Sequence, residues 1–119
     1  MYLVTSSGVG GAERQVHDLA LRLERRDWDV TVVSMLPHGP TFSDLPNRRV
    51  STATLQMVQA RPDPRAFVRF AGLLRDRRPD VLHAHMVHAN LLGRLSRLVR
   101  PHTPVVISTM HNQYQGPRW

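Results

Sequence analysis

The sequence predicts an α/β fold, a Rossmann-like parallel sheet with helices on both faces. Three features predict it. Short apolar, β-branched runs alternate with segments whose apolar residues recur at i, i+3, i+4 and i+7. The segments follow the order β-α-β-β-α-β-α-β. A glycine-rich turn, Ser6-Ser7-Gly8-Val9-Gly10-Gly11, joins the first run to the first helical stripe.

Tyr2-Leu3-Val4-Thr5 is the first strand. After the turn, Val16, Leu19, Ala20 and Leu23 lie on one face of a helix from about Ala12 to Arg25. Arg22, Arg25 and Arg26 complement its dipole at the carboxyl end. Val30 to Met35 is too short for a helix and apolar enough for a buried strand. Leu36 to Arg49, punctuated by Pro37, Gly39, Pro40, Pro46 and Asn47, reads as a long loop, either functional or partly mobile. Val50 to Leu55 alternates apolar and hydroxyl residues as a weaker strand.

Asp63-Pro64 is a helix start, with Asp63 as cap and proline in the first turn. The stripe Phe67, Phe70, Ala71, Leu74 follows, and the helix ends near Arg78, before Pro79. Asp80 to His85 is a strand with a polar exit. Ala89 to Val99 is a helix with Leu91, Leu95 and Leu98 along one side and Leu92 and Val99 beside them. Val105 to Thr109 is the fifth strand.

At 119 residues the chain is one domain at most. It can bury roughly two-thirds of its unfolded surface. No apolar run approaches the ~20 residues of a membrane span. Cysteine is absent, which excludes disulfide scaffolds and cysteine zinc sites. No export signal precedes the first strand, so a cytoplasmic location is expected. The net charge is +7 and every basic residue is arginine. That charge suits phosphate groups, an anionic membrane surface or nucleic acid. Nucleic acid is the weakest of these: aromatics are 6% of the chain, and no basic strand interleaved with aromatics is present.

The glycine turn admits two readings. Glycines let the backbone take positive φ and let a ligand come close, and a helix start attracts phosphate, so the turn can cradle a diphosphate. It can equally be a tight strand-to-helix connection. It is not a dinucleotide fingerprint, because Glu13 stands where G-x-G-x-x-G needs its third glycine. Without lysine it is not a P-loop either.

Ligands of open parallel sheets bind beyond the carboxyl ends of the strands. Gly8, Gly10 and Gly11 follow the first strand. His83, His85, His88 and Asn90 lie at or after the end of the fourth, and His111 and Asn112 follow the fifth. His83-x-His85 shares a strand face and could ligate a metal with His88 or His111 as a third ligand, but metal sites usually also take a carboxylate or cysteine partner, and none is evident beside the pair. A hydrogen-bonded, buried His83 fits better. His85 and His111 suit contact with a substrate. No G-x-S-x-G elbow surrounds Ser6 or Ser7.

Taken in order, Gly10-Gly11-Ala12-Glu13-Arg14, Val30 to Ser34, Pro79 to His85, Ala89-Asn90-Leu91-Leu92 and Ser108 to Asn112 resemble the amino-terminal domain of glycosyltransferase family 4. The resemblance runs from about Tyr2 to Asn112. It implies half of a GT-B enzyme, in which two Rossmann-like domains face a cleft and transfer a sugar from a nucleotide sugar with retention, without an essential metal or other cofactor. By the resemblance Gly10 and Gly11 reach the donor diphosphate. His111 lies against the donor sugar as the catalytic histidine, and His85 and Asn90 line the acceptor side.

Such enzymes carry an E-x7-E glutamate pair in the second domain, whereas the glutamates here are Glu13 and Glu24. The expectation is a single, incomplete domain over residues 1–119, inactive alone, needing a carboxyl-terminal GT-B domain or a separate chain that supplies it. Arg65, Arg69 and Arg75 would allow a peripheral site at the inner membrane face. The alternative is a non-catalytic Rossmann-like module that binds an anionic ligand or a partner domain.

Overall fold

The computed structural model describes residues 1–6, 8, 10–37, 39–59, 61–95, 97 and 104–110. Five strands, β1 (Tyr2–Val4), β2 (Thr31–Ser34), β3 (Ser51–Thr54), β4 (Val81–His85) and β5 (Val105–Thr109), form one sheet in the order β3-β2-β1-β4-β5. Every pairing is parallel. β1 is central: Leu3 lies between Val33 and Ala84, and Val4 between Ser34 and His85. Three helices join the strands: α1 (Gly11–Glu24), α2 (Pro64–Arg77) and α3 (Val87–Leu95).

Strand alternation divides the core in two. On one face Leu3, Val33, Leu82 and Ala84 pack with Ala66, Phe70 and Leu74 of α2 and with Ala89 and Leu92 of α3. On the other, Tyr2, Val4 and Val32 pack with Val16 and Ala20 of α1 and with Phe42, Leu45 and Val50. The sheet is therefore covered on both sides at β1, β2 and β4, as their apolar residues require, whereas Val105 and Ile107 of β5 are exposed.

The boundaries of the other elements fall within a residue or two of the sequence expectation; α3 is described over Val87–Leu95 where Ala89 to Val99 was expected, with residues 96 and 98–100 outside the described residues. The long loop contains two 3-10 turns, Pro40–Phe42 and Leu45–Arg48. Each has a proline in its first two positions, and each drives one apolar side chain, Phe42 or Leu45, under α1. In α2 the fully buried line is Ala66, Phe70 and Leu74, with Phe67 at its flank.

In α3 the buried side is Ala89, Asn90, Leu92 and Gly93, so the expected leucine stripe is corrected: Leu91 is 59% exposed and Leu95 42%. Leu98 and Val99 lie outside the described residues. Close approach explains the swap. A Cβ on Gly93 would sit 3.5 Å from Ala84 and 3.6 Å from Leu82, so Ala89 and Gly93 face the sheet at close range with Leu92 beside them, and Leu91 and Leu95 are turned away.

The expected α2 cap is present. Asp63 Oδ1 accepts from Arg65 N–H at 2.9 Å. Arg69 is exposed but held: its guanidinium donates to Leu55 O and to Asp63 Oδ2. Among the described residues no helix is long and apolar enough to cross a membrane.

Candidate functional site

The chain runs from β1 outward to β2 and β3, then crosses back to β4 and β5. Connections therefore diverge between β1 and β4, and their carboxyl ends frame a crevice. The glycine turn forms one lip. The β4–α3 junction and the end of β5 form the other.

At the first lip, Gly10 caps α1 in an extended conformation, φ −162° and ψ 167°, without a side-chain cap. No described glycine has positive φ, so backbone freedom is not what requires glycine here. Proximity is. A Cβ on Gly10 would lie 2.3 Å from Glu13 Oε2. Glu13 is 7% exposed, and its carboxylate accepts the Ser6 hydroxyl at 2.6 Å. Gly11 differs: a Cβ there would meet nothing within 4 Å. The first turn of α1 presents the N–H groups of Gly11, Ala12 and Glu13, which have no acceptor within the helix.

The glycine spacing gives no role in the turn to Glu13. Its spacing, three residues after the cap, is the signal that marks a carboxylate folding back on a helix start.

At the second lip, Thr109 gathers three bonds. Its carbonyl accepts from Met86 N–H at 3.0 Å and from Asn90 Nδ2 at 3.3 Å. Its hydroxyl lies 2.6 Å from His83 Nε2. Met86, at φ 76°, makes the turn from β4 into α3. Asn90 is buried: its Nδ2 donates to the Thr109 carbonyl and ties α3 to β5, while its Oδ1 has no hydrogen-bond partner among the described residues. His83 is half-buried where a buried histidine was expected, and it is hydrogen-bonded through Nε2 with the Thr109 hydroxyl. His85 is 1% exposed. Its ring lies 4.1 Å from that of His83 and 5.7 Å from Tyr2, in a three-ring stack on the α1 face. Burial raises the Tyr2 phenol above its ordinary value. His111 lies outside the described residues. Among the described residues no group of three or more histidines and carboxylates is placed to hold a metal ion.

Beside the glycine turn lies a cleft of about 540 Å³, a size usual for small-molecule sites, lined by Gly10, Arg14, His17, Asp18, Pro40 and Thr41. One wall is α1 and the other is the first 3-10 turn. Two bonds fix the walls together. His17 Nε2 lies 2.9 Å from Asp44 Oδ1, and Thr41 Oγ1 donates to Gly8 O at 2.6 Å. The His17 hydrogen bond holds the Asp44 carboxyl below its ordinary range. No sequence signal marks this cleft, because its halves lie 27 residues apart between His17 and Asp44.

Residues 9–119 match the sequence profile of Glycosyltransferase Family 4. No curated protein matches the chain.

Proposed function

The chain belongs to glycosyltransferase family 4, and on that footing we propose that it is the acceptor-side half of a retaining glycosyltransferase. In this reading a sugar passes from a nucleotide sugar to a glycan, lipid or small-molecule acceptor. A donor-side domain, on the same or another polypeptide, closes the crevice. Gly10 and Gly11 meet the donor diphosphate, His111 meets the donor sugar, and His85 and Asn90 belong to the acceptor side.

The observation that carries the reading is the start of α1 at the point where the connections diverge. Gly11 leaves it sterically open, and its first-turn N–H groups and dipole favour phosphate. Glu13 now lies against Gly10, so a diphosphate seated there requires that carboxylate to withdraw. The reading calls for no metal ion. Diphosphate charge is met by the helix start and by basic groups of the donor domain.

Transfer needs both reactants held in register, which one half does not do. The chain alone is therefore inactive in this proposal. It resides in the cytoplasm, with attachment to an anionic membrane face through exposed Arg65 and Arg75; Arg69 is engaged within the fold. Sedimentation with anionic vesicles at low and high salt tests that attachment.

The deciding experiment mixes the chain with a polypeptide supplying the E-x7-E half and follows a labelled sugar from a nucleotide sugar. Transfer is expected only in the mixture, and His111→Ala is expected to lower it by about 100-fold, the scale of losing one group that stabilises developing charge. Transfer by the chain alone would overturn the half-enzyme reading. No transfer in any mixture would leave a non-catalytic anion-binding module.

A further inference from the structure

We propose that the edge of the sheet where the strands begin docks an acidic segment of a partner protein, with Trp28 as its apolar anchor and arginines from three connections as its charge clamp. The proposal does not rest on the glycosyltransferase reading, because this edge is opposite the crevice at the carboxyl ends of the strands.

Placement is the first argument. Three connections reach this edge: residues 25–30 from α1 to β2, 49–50 from the second 3-10 turn to β3, and 78–80 from α2 to β4. They meet at Ser51, the first residue of β3. Its N–H donates to Val30 O at 3.0 Å, so Trp28 and Arg49, each two residues earlier, lie in neighbouring connections. Arg77, in the last turn of α2, reaches the same residue: its Nη1 donates to the Ser51 hydroxyl at 3.4 Å.

The side chains are the second. Arg25, Arg26, Arg48, Arg49, Arg77 and Arg78 are exposed, and Trp28 is 55% exposed. Among the described residues none of these arginines makes an ion pair. Of the carboxylates nearby, Asp76 lies 3.9 Å from Arg75, and Asp29 and Asp80 act on the Met1 ammonium at the start of β1. Glu24 and Asp27 alone are left to balance the arginines. Tryptophan and arginine are enriched among the residues that carry binding energy between proteins, and carboxylates on a partner complete the charge.

The third argument is backbone geometry. The three helical segments that end here leave through left-handed residues: Asp27 at φ 64°, Arg49 at φ 63° and Arg78 at φ 44°. Glycine is the residue that suits such an exit. The dipole does not require Arg49 and Arg78, because the last turns already carry Arg48 in one case and Arg75 and Arg77 in the other. At both exits stability is forgone and a guanidinium is kept, as at surfaces retained for binding.

The setting of Trp28 selects the partner. Asp27 and Asp29, both exposed, flank it in sequence. A uniformly anionic bilayer meets these carboxylates as soon as it meets the ring. A peptide can place an apolar side chain on the ring and its own carboxylates on the arginines. Single-stranded nucleic acid stacks successive bases on successive aromatics, and among the described residues Trp28 is the one exposed Trp, Tyr or Phe.

The probe is a short labelled peptide of glutamates around a pair of leucines, titrated with the chain and followed by fluorescence anisotropy. Partial probes replace its glutamates by glutamine or its leucines by serine. Oligothymidylate and phosphatidylglycerol vesicles stand for the other polyanions. The complete peptide is expected to bind more tightly than all of these. Trp28→Ala is expected to weaken it by about 30-fold, the scale of an interface hot spot. The double variant Arg49→Gly, Arg78→Gly is expected to weaken it about tenfold, the scale of two exposed ion pairs. The same double variant is expected to raise the thermal midpoint, because glycine suits both exits. Lost binding in a more stable protein cannot be a folding defect. Arg14→Gln, which removes a charge at the opposite edge, is expected to change neither.

Absence of binding by the complete peptide overturns the proposal. So does binding that Trp28→Ala and the double variant leave unaltered, which is general attraction to a +7 chain. Tighter binding of oligothymidylate or of the vesicles, lost in the same variants, assigns this edge to that polyanion and overturns the acidic segment.

Discussion

The hydroxyl of Ser6 donates to the carboxylate of Glu13 at 2.6 Å, and this bond closes over Gly10. It ties the end of β1 to the first turn of α1. The two neighbouring glycines consequently have different reasons to be glycine.

Gly10→Ala drives a methyl to within 2.3 Å of the Glu13 carboxylate. The carboxylate can swing away, but then loses the Ser6 bond. The expected cost is about 1–2 kcal/mol, the scale of a partly buried charge-assisted bond. Gly11→Ala meets no atom and needs no positive φ. It is expected to add about 0.4–1 kcal/mol by restricting the unfolded chain. Urea unfolding measures both. In the complemented enzyme Gly11→Ala should lower transfer despite its added stability, because the methyl stands where the diphosphate is proposed to approach.

The His17–Asp44 bond predicts acid sensitivity. Asp44 titrates below its unfolded value of 3.8 because His17 donates to it. Its contribution is therefore complete above that value and is lost as pH falls through the lower folded one. The wild-type chain should lose stability faster than Asp44→Asn as pH falls below the unfolded value of 3.8. The difference will be small, since the Asp44 side chain is 46% exposed. Equal slopes for the two proteins would show that the bond contributes nothing.

Thr109→Val removes the hydroxyl 2.6 Å from His83 while keeping the shape of the side chain. A cost of about 1–2 kcal/mol is expected, with recovery in Thr109→Ser. Asn90→Ala removes the 3.3 Å bond from α3 to the same residue. The Thr109 carbonyl keeps its bond from Met86 N–H, so this cost should be nearer about 1 kcal/mol. A double-mutant cycle would report coupling through Thr109.

Gly93 tests how closely α3 approaches the sheet. The Cβ of Gly93→Ala would stand in ordinary contact with Ala84 and Leu82, so the variant should fold and gain up to about 1 kcal/mol of helix propensity. Gly93→Leu must lift the helix and should cost about 1–3 kcal/mol. Thermal unfolding distinguishes them.

The sheet was legible because its strands are β-branched and its helix faces periodic. Val105 to Thr109 was read at its observed bounds, and the Asp63 cap bonds as its position implied. The α3 stripe was misread because periodicity counts apolar residues and not the gap they must fill. A helix lying close to β4 buries Gly93 and Ala89 and leaves Leu91 outside. The glycine turn was located correctly, but its cause lay in a side chain packed back on it, Glu13, which glycine spacing does not reveal. The cleft was invisible for a different reason. Its walls meet through His17 and Asp44, and a lone histidine on a helix and a lone aspartate in a loop carry no mark that they belong together.

The placement of β1 has a consequence for how the chain is made. β1 precedes the other four strands in the chain and lies in the middle of the sheet. The terminal ammonium donates to Val81 O at 2.9 Å, across 80 residues of sequence. β2 and β3 can zip onto β1 soon after they emerge from the ribosome, and α1 can cover one face. Leu3, Val33 and Met35 on the opposite face must wait for α2 and α3. For much of synthesis the nascent chain is a half-sheet with one apolar side bare and the β4-facing edge of β1 unpaired, the kind of surface that chaperones hold. Closing that long loop, rather than forming any helix, sets the pace of folding.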